Sequence, residues 1–229
     1  MKLDILVNNY FKSILLGSIL AITASANAQE QQLKKIDAST TVLLEFSKMK
    51  ESIPGSLLKI TEGIILVPNL LNAGFIVGGK RGRGLAMVKK ADGTWSNPVF
   101  VTITGGSLGV QIGLQSVDLV LVFKSSESLK NIKKSSFTLG GDISVAAGPI
   151  GRNSTANTDY KMEAEVFSYS RSRGLFAGVS INGATLAVDA KSNISFYGRD
   201  LSTVELFSAP NSTDAEVRHL KQTLLTMME

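Results

Sequence analysis

Between Lys35 and Ser52, apolar Ile36, Leu43, Leu44 and Phe46 stand among polar residues at roughly helical spacing, with Leu33 just ahead of them. The spacing predicts an amphipathic helix over about 35–52. It should stop before Pro54-Gly55, because proline lacks the N–H that would continue the ladder and crowds the preceding turn. The apolar stripe suits packing on a sheet, which a globular domain has to cover, more than insertion into a membrane interface. Gly63 to Pro68 is a short apolar run of the kind found in buried strands. Leu85 to Lys90 and Val99 to Thr104 read as two strands joined through Asp92-Gly93, a strong hairpin signal. Val117 to Phe123 is another apolar strand. Further strands are expected over 137–146, 163–170 and 175–181, with a short helix opening at Ser125-Ser126-Glu127 and an exposed polar loop over 154–159.

Helical periodicity returns at the C-terminus. Ser202 with Glu205 and Thr213 with Glu216 have the spacing of capping boxes. Val217, Leu220, Leu224 and Met228 then share one helix face, so the last helix should dock rather than trail. The pattern shows no fixed-period repeat, no proline-rich linker and no low-complexity block. It predicts one α+β domain: β-rich, with a mostly antiparallel sheet and flanking N- and C-terminal amphipathic helices.

The first residues change the picture of the compartment. Lys2 and Lys12 precede an apolar run over 13–24, and Ala26-Asn27-Ala28 has the small-x-small form of a signal peptidase site. Residues 1–28 therefore read as a cleaved secretory signal peptide, leaving 29–229 as the mature domain in the periplasm. That run falls short of the roughly 20 apolar residues a span requires. Its removal takes away Lys2, Lys12 and Asp4 and leaves a net charge of +4, too modest to imply nucleic-acid binding. Cysteine is absent and histidine occurs once, which excludes disulfides and thiolate chemistry. No D-x-D-x-D spacing suggests a calcium loop, and no cofactor is indicated.

The richest candidate chemistry lies between Phe75 and Gly113, where glycines punctuate β-like runs and Lys80, Arg81, Arg83, Lys89 and Lys90 precede any acid. Gly74 to Lys80 satisfies G-x-x-x-x-G-K, the start of a nucleotide-binding loop. Arg81 then stands where that loop needs a magnesium-binding hydroxyl, and the residues between are apolar and β-branched. Gly105 to Gly109 satisfies G-x-S-x-G, so a serine hydrolase with Ser107, one of Asp118, Asp142 or Asp189, and His219 is the enzymatic alternative. Its weakness is the β alternation after Gly109, where a nucleophile elbow would lead into a helix. A third alternative is a structural or partner-binding envelope protein whose glycines serve only tight turns.

Several phrases occur in order: Gly78-Gly79 with the basic G-x-G to Gly84, Trp95-Ser96-x-Pro98, and Gly105-Gly106 through Gln111 to Gly113. They continue with Gly148-Pro149-x-Gly151-Arg152, then Tyr169-Ser170-x-Ser172-Arg173-Gly174-Leu175-Phe176-Ala177-Gly178, and Asn193 with Phe196-Tyr197-Gly198. Together they resemble the SYLF-domain family over about 57–207. The resemblance implies a lipid-binding module, in a family also described as actin regulators, with no established catalytic activity. Actin binding is not expected to carry over to an exported chain. The expected partner is an anionic phospholipid or membrane surface, met by Lys80, Arg81, Arg83, Lys89, Lys90, Arg152 and Arg173. Near such a surface each cation contributes on the order of 1 kcal/mol, screened by salt. Glycines beside the cations would let the backbone approach phosphate. Arg171 is a further candidate, with pairing to Asp142, Glu163 or Glu165 as its competing role. Trp95 is expected to pack over the sheet rather than anchor in an interface.

Overall fold

A computed structural model describes residues 28–49, 53–130, 132, 136–148, 164–172, 175–176 and 181–228; of 74–77, 107–114 and 176 it describes the backbone only. The signal-peptide reading, Arg152, Arg173 and the 154–159 loop lie outside the described residues. Along the chain come α1 (28–48), α2 (Gly55–Lys59), β1 (Gly63–Val88), β2 (Val99–Phe123) and α3 (Glu127–Lys130). These are followed by β3 (Phe137–Thr138), β4 (Val145–Ala147), β5 (Val166–Ser172), β6 (Leu175–Phe176), β7 (Thr185–Val188), α4 (Ala190–Tyr197), α5 (Thr203–Ser208) and α6 (Ala215–Met228). The fold is α+β with a mostly antiparallel sheet, as the hydrophobic pattern predicts.

Its organising feature is one very long hairpin. The stretches read as separate strands on either side of the glycines are continuous: β1 pairs antiparallel with β2 from Gly63↔Phe123 to Ala86↔Val99. The turn forms at Asp92-Gly93. The Gly93 N–H donates to the Lys90 carbonyl at 2.9 Å, the Lys90 N–H to the Thr94 carbonyl at 2.7 Å, and Gly93 has φ of 80°. On its other edge β2 pairs with β7 near its start, over Val101 to Thr104, and with β5 near its end, over Asp118 to Phe123. The sheet is thereby divided into two halves. β3 borders β7, and β4 lies parallel to β5.

The halves curl so that β1 meets itself. The Lys89 N–H donates to the Glu62 carbonyl at 2.7 Å, and Gly82 and Gly84 come down on Val67, Leu70 and Leu66 of the same strand. A Cβ on Gly84 would lie 2.1 Å from the Leu66 carbonyl oxygen, and one on Gly82 would lie 2.6 Å from Val67 Cγ1. Only glycine permits such an approach. Irregular pairing between Val67 and Leu70, and between Gly74 and Ile76, lets the strand bend.

Alternation along the strands gives two cores. Ile65, Val67, Val99, Val101, Leu119 and Leu121 point to one side, where Leu129, Leu206 and Phe207 from α3 and α5 join them. Ile64, Leu66, Leu85, Met87, Val120 and Val122 point to the other, under Ile36, Leu43 and Phe46 of α1, Leu57 of α2, and Val217 and Leu220 of α6. Both terminal helices dock as expected. The Ser202 capping box forms with both of its hydrogen bonds. At α6 the helix begins at Ala215 and the Asp214 carbonyl accepts from the Arg218 N–H, so Asp214 takes the place expected of Thr213. The expected strand over 137–146 is instead β3 and β4, separated by a turn at which Gly140 has φ of 80°.

Candidate functional site

The two rejected motifs are strand segments. Gly78 pairs with Ser107 and Gly79 with Gly106 inside the β1–β2 ladder, so Ser107 is not on a strand-to-helix elbow, and Gly74 to Lys80 is not a loop entering a helix. The three candidate acids are engaged elsewhere. Asp142 accepts from the Thr138 N–H at 2.7 Å, Asp189 caps α4 through the Ser192 N–H at 3.1 Å, and Asp118 pairs with Arg171 at 2.7 Å. His219 is exposed on α6.

The five cations expected to form one patch do not share a face. Successive residues of a strand point to opposite sides. Arg81 and Arg83 are accordingly exposed, whereas Lys80, between them and Gly79, is only 8% exposed, and desolvation lowers its pKa. Lys80 is therefore withdrawn from the surface set. Lys89 and Lys90 belong to the hairpin turn, about 20–30 Å along the strand from Arg83 and Arg81 at roughly 3.3 Å per residue.

What the fold adds to Arg81 and Arg83 is α1. An open groove of about 470 Å³ runs between that helix and the bend of β1, lined by Lys34 and Lys35 on one side and Arg81 and Arg83 on the other. Pro68, Asn69 and Leu71 form its floor, and Leu71 is 47% exposed. Desolvation, with the Arg83 charge assisting and Asp189 opposing, lowers the pKa of Lys35. Arg83 makes a long contact with Asp189, 3.6 Å, and Lys34 pairs with Glu30 at 2.7 Å on the exposed helix face. Arg81 has no ion pair among the described residues. The sequence placed Lys35 at the start of an amphipathic helix, with Lys34 just ahead of it, but carried no signal that they would face the G-x-G run.

The floor is held by an ionic network. Asn69, with φ of 54°, donates its N–H to Asp118 Oδ1 at 3.0 Å; Asp118 binds Arg171 at 2.7 Å; and Arg171 reaches Glu45 of α1 at 3.6 Å. Arg171 is thus a brace between α1, β2 and β5, with partners other than those expected.

The recurring phrases also acquire structural reasons. The Ser96 hydroxyl accepts from the Val88 N–H at 3.0 Å and finishes the end of β1. Trp95 is 2% exposed and packs in the core beneath α1, α2 and α6. The Asn193 side chain accepts from the Phe100 N–H at 2.9 Å and donates to its carbonyl at 3.0 Å, completing β2 where pairing with β7 stops. The Tyr197 hydroxyl donates to the Pro98 carbonyl at 2.6 Å. Gly148 lies flat against Tyr169, where a Cβ would come within 2.1 Å of the ring. Among the described residues no group of acids and histidine is arranged to hold a metal, and no helix is long and apolar enough to cross a membrane.

Comparison with known proteins agrees with the resemblance. Residues 104–227 match the family model Ysc84, described as "Las17-binding protein actin regulator". An SH3 domain-containing protein of Schizosaccharomyces pombe is 39% identical over 162 residues, which is 69% of this chain and 37% of that protein. LAS seventeen-binding protein 3 of Saccharomyces cerevisiae is 32% identical over 190 residues, 82% of this chain and 41% of that protein. The human SH3 domain-containing YSC84-like protein 1 is 30% identical over 209 residues, 91% and 61% respectively. The chain thus spans between 37% and 61% of the length of these relatives. The expectation that actin binding does not carry over is corrected here: the matching family is described as an actin regulator, and the yeast relative is named for binding LAS seventeen. With the match covering more than half its length, the chain belongs to the Ysc84, or SYLF-domain, family.

Proposed function

We propose that this domain is a non-catalytic binding module that docks on anionic membrane head groups through the groove between α1 and β1. The carrying observation is the convergence of Lys34, Lys35, Arg81 and Arg83 on one open groove with an exposed apolar residue, Leu71, on its floor. Cations at the rim and an apolar contact below suit a phospholipid surface. A binding role is favoured over hydrolysis by the place of Ser107 within a strand ladder and by the structural engagement of Asp118, Asp142 and Asp189. Export to the periplasm is part of the proposal and rests on the composition of residues 1–28. Sequencing the N-terminus of protein recovered from fractionated cells tests it, with Gln29 expected first.

The lipid reading is tested by co-sedimentation with phosphatidylglycerol and phosphatidylcholine vesicles. Arg81→Glu combined with Lys34→Glu should weaken binding to the anionic vesicles by at least about 30-fold at low salt, since two cations supply roughly 2 kcal/mol. Lys80→Gln should leave it nearly unchanged. Equal pelleting with both lipids would overturn the reading.

The family match favours a second partner class. We propose, as the alternative to export, that the domain contributes to contact with the actin cytoskeleton, in line with the family description. Co-pelleting with filamentous actin, with and without vesicles, tests this; absence of the protein from the actin pellet under both conditions refutes it.

A further inference from the structure

The β1–β2 turn meets the start of α6 at a place remote from the groove. Lys221 on α6 donates from Nζ to Asn97 Oδ1 and to Asn211 Oδ1, both at 2.9 Å. Lys90 reaches the same Asn211 oxygen from the turn at 3.5 Å. Two ammonium groups therefore converge on one neutral amide oxygen, and among the described residues neither is in an ion pair.

Asp92 supplies one counter-charge to the two lysines, which leaves a net positive charge at the site. Asp92 turns Oδ1 to the Thr94 N–H at 2.9 Å and to its hydroxyl at 2.6 Å, closing the turn. Asp214 accepts the Ser212 hydroxyl at 2.5 Å. Asn97 is buried and engaged: its amide nitrogen donates to the Pro210 carbonyl at 2.6 Å, and its oxygen also accepts from the Ser212 N–H at 3.0 Å. Burial first, then the Lys90 charge, with Asp92 opposing, pushes the pKa of Lys221 down to about 8. Like charges held together on amide oxygens in a partly desolvated site are unfavourable, and a bound anion relieves both the repulsion and the desolvation.

We propose that Lys90 and Lys221 form a binding site for one phosphate-type oxyanion, held between the β1–β2 turn and α6. Because both ammoniums reach the same amide oxygen, one tetrahedral oxyanion can bridge them through two of its oxygens. The rigid frame is supplied by Asn97 and the 210–212 segment it pins. The site is independent of the groove, since it shares none of that groove's lining residues.

The test is a titration of the protein with inorganic phosphate, against sodium chloride at matched ionic strength, reading the lysine Hε–Cε resonances by NMR. The Lys90 and Lys221 signals should shift saturably with phosphate and not with chloride, and the Lys221 titration midpoint should move upward. Lys90→Gln, at an exposed turn, should weaken phosphate binding at least tenfold, and Lys34→Gln should leave it unchanged. Vesicles of phosphatidic acid, with phosphatidylcholine as blank, form the second arm. Selective broadening of the same two signals assigns the site to a lipid phosphomonoester, and a response to soluble phosphate alone assigns it to a free ligand. Chloride reproducing the shifts, neither probe moving them, or Lys90→Gln leaving phosphate affinity unchanged would overturn the proposal.

Discussion

Gly84→Ala should be among the most damaging single-methyl additions in this protein. The new Cβ would sit 2.1 Å from the Leu66 carbonyl oxygen, 2.8 Å from Val67 Cγ2 and 3.0 Å from the Leu66 carbonyl carbon. A non-bonded carbon and oxygen settle at about 3.3 Å or more, so the two limbs of β1 would have to part by about 1 Å. Neither limb is free to move. Leu66 and Leu85 are fully buried in one core, Val67 and Ala86 in the other, and both limbs are laddered to β2. Overpacking in such a setting costs about 3 kcal/mol, at the upper end of the usual range. Loss of glycine's freedom in the unfolded chain returns about 0.4–1 kcal/mol, leaving a net loss of roughly 2 kcal/mol or more. Gly106→Ala is the matched control, with nothing within 4 Å of its added methyl and the same entropic gain. Urea unfolding followed by Trp95 fluorescence reads both, because that residue is the single tryptophan and is buried. Gly84→Ala within 0.5 kcal/mol of the parent, on the ~1 kcal/mol scale of ordinary mutations, would refute the self-crossing of β1 as the reason for the G-x-G run.

Three other outcomes are expected. Arg171→Met should destabilise by about 2–3 kcal/mol, because it leaves Asp118 unpaired with its side chain only 17% exposed, and a double-mutant cycle with Asp118→Asn should show coupling above about 1 kcal/mol. Lys221, with its pKa depressed to about 8, carries a charging penalty in the folded state below that pH; stability from this group should rise between about pH 8 and the ordinary lysine value of 10.5, and Lys221→Gln should flatten that rise in chemical denaturation run across the range. Trp95 emission should be blue-shifted and should not change when anionic vesicles are added, since its ring lies in the core; a shift tracking lipid binding would return Trp95 to the interface.

Much of the local structure was legible along the chain. The helical spacing from Leu33 to Phe46, the Asp92-Gly93 turn, the Ser202 box and the docking face of α6 all follow from contacts within a few residues, and the structure shows each of them. β7 and α4 were missed. Thr185 to Val188 is too short to show an alternation, and α4 starts from an Asp189 cap without a glutamate three residues on. β1 and β2 were read as shorter strands because glycines usually interrupt ladders; here they let a continuous ladder bend and cross itself.

By itself the sequence determined the class of the fold, the Ser202 cap, the Asp92-Gly93 turn and a family signature, since these depend on periodicity and on the φ/ψ needs of single residues. Strand parity, also a local property, could have separated Lys80 from Arg81 and Arg83, which the sequence reading grouped together. Which cations meet was decided only by the tertiary structure. Lys34 and Lys35 are brought opposite Arg81 and Arg83 by the docking of α1 on the bent strand, and Lys221 is brought to Lys90 by the docking of α6 at the turn. Both pairings join segments separated by some 45 residues or more, and long-range burial, not any local preference, brings them together.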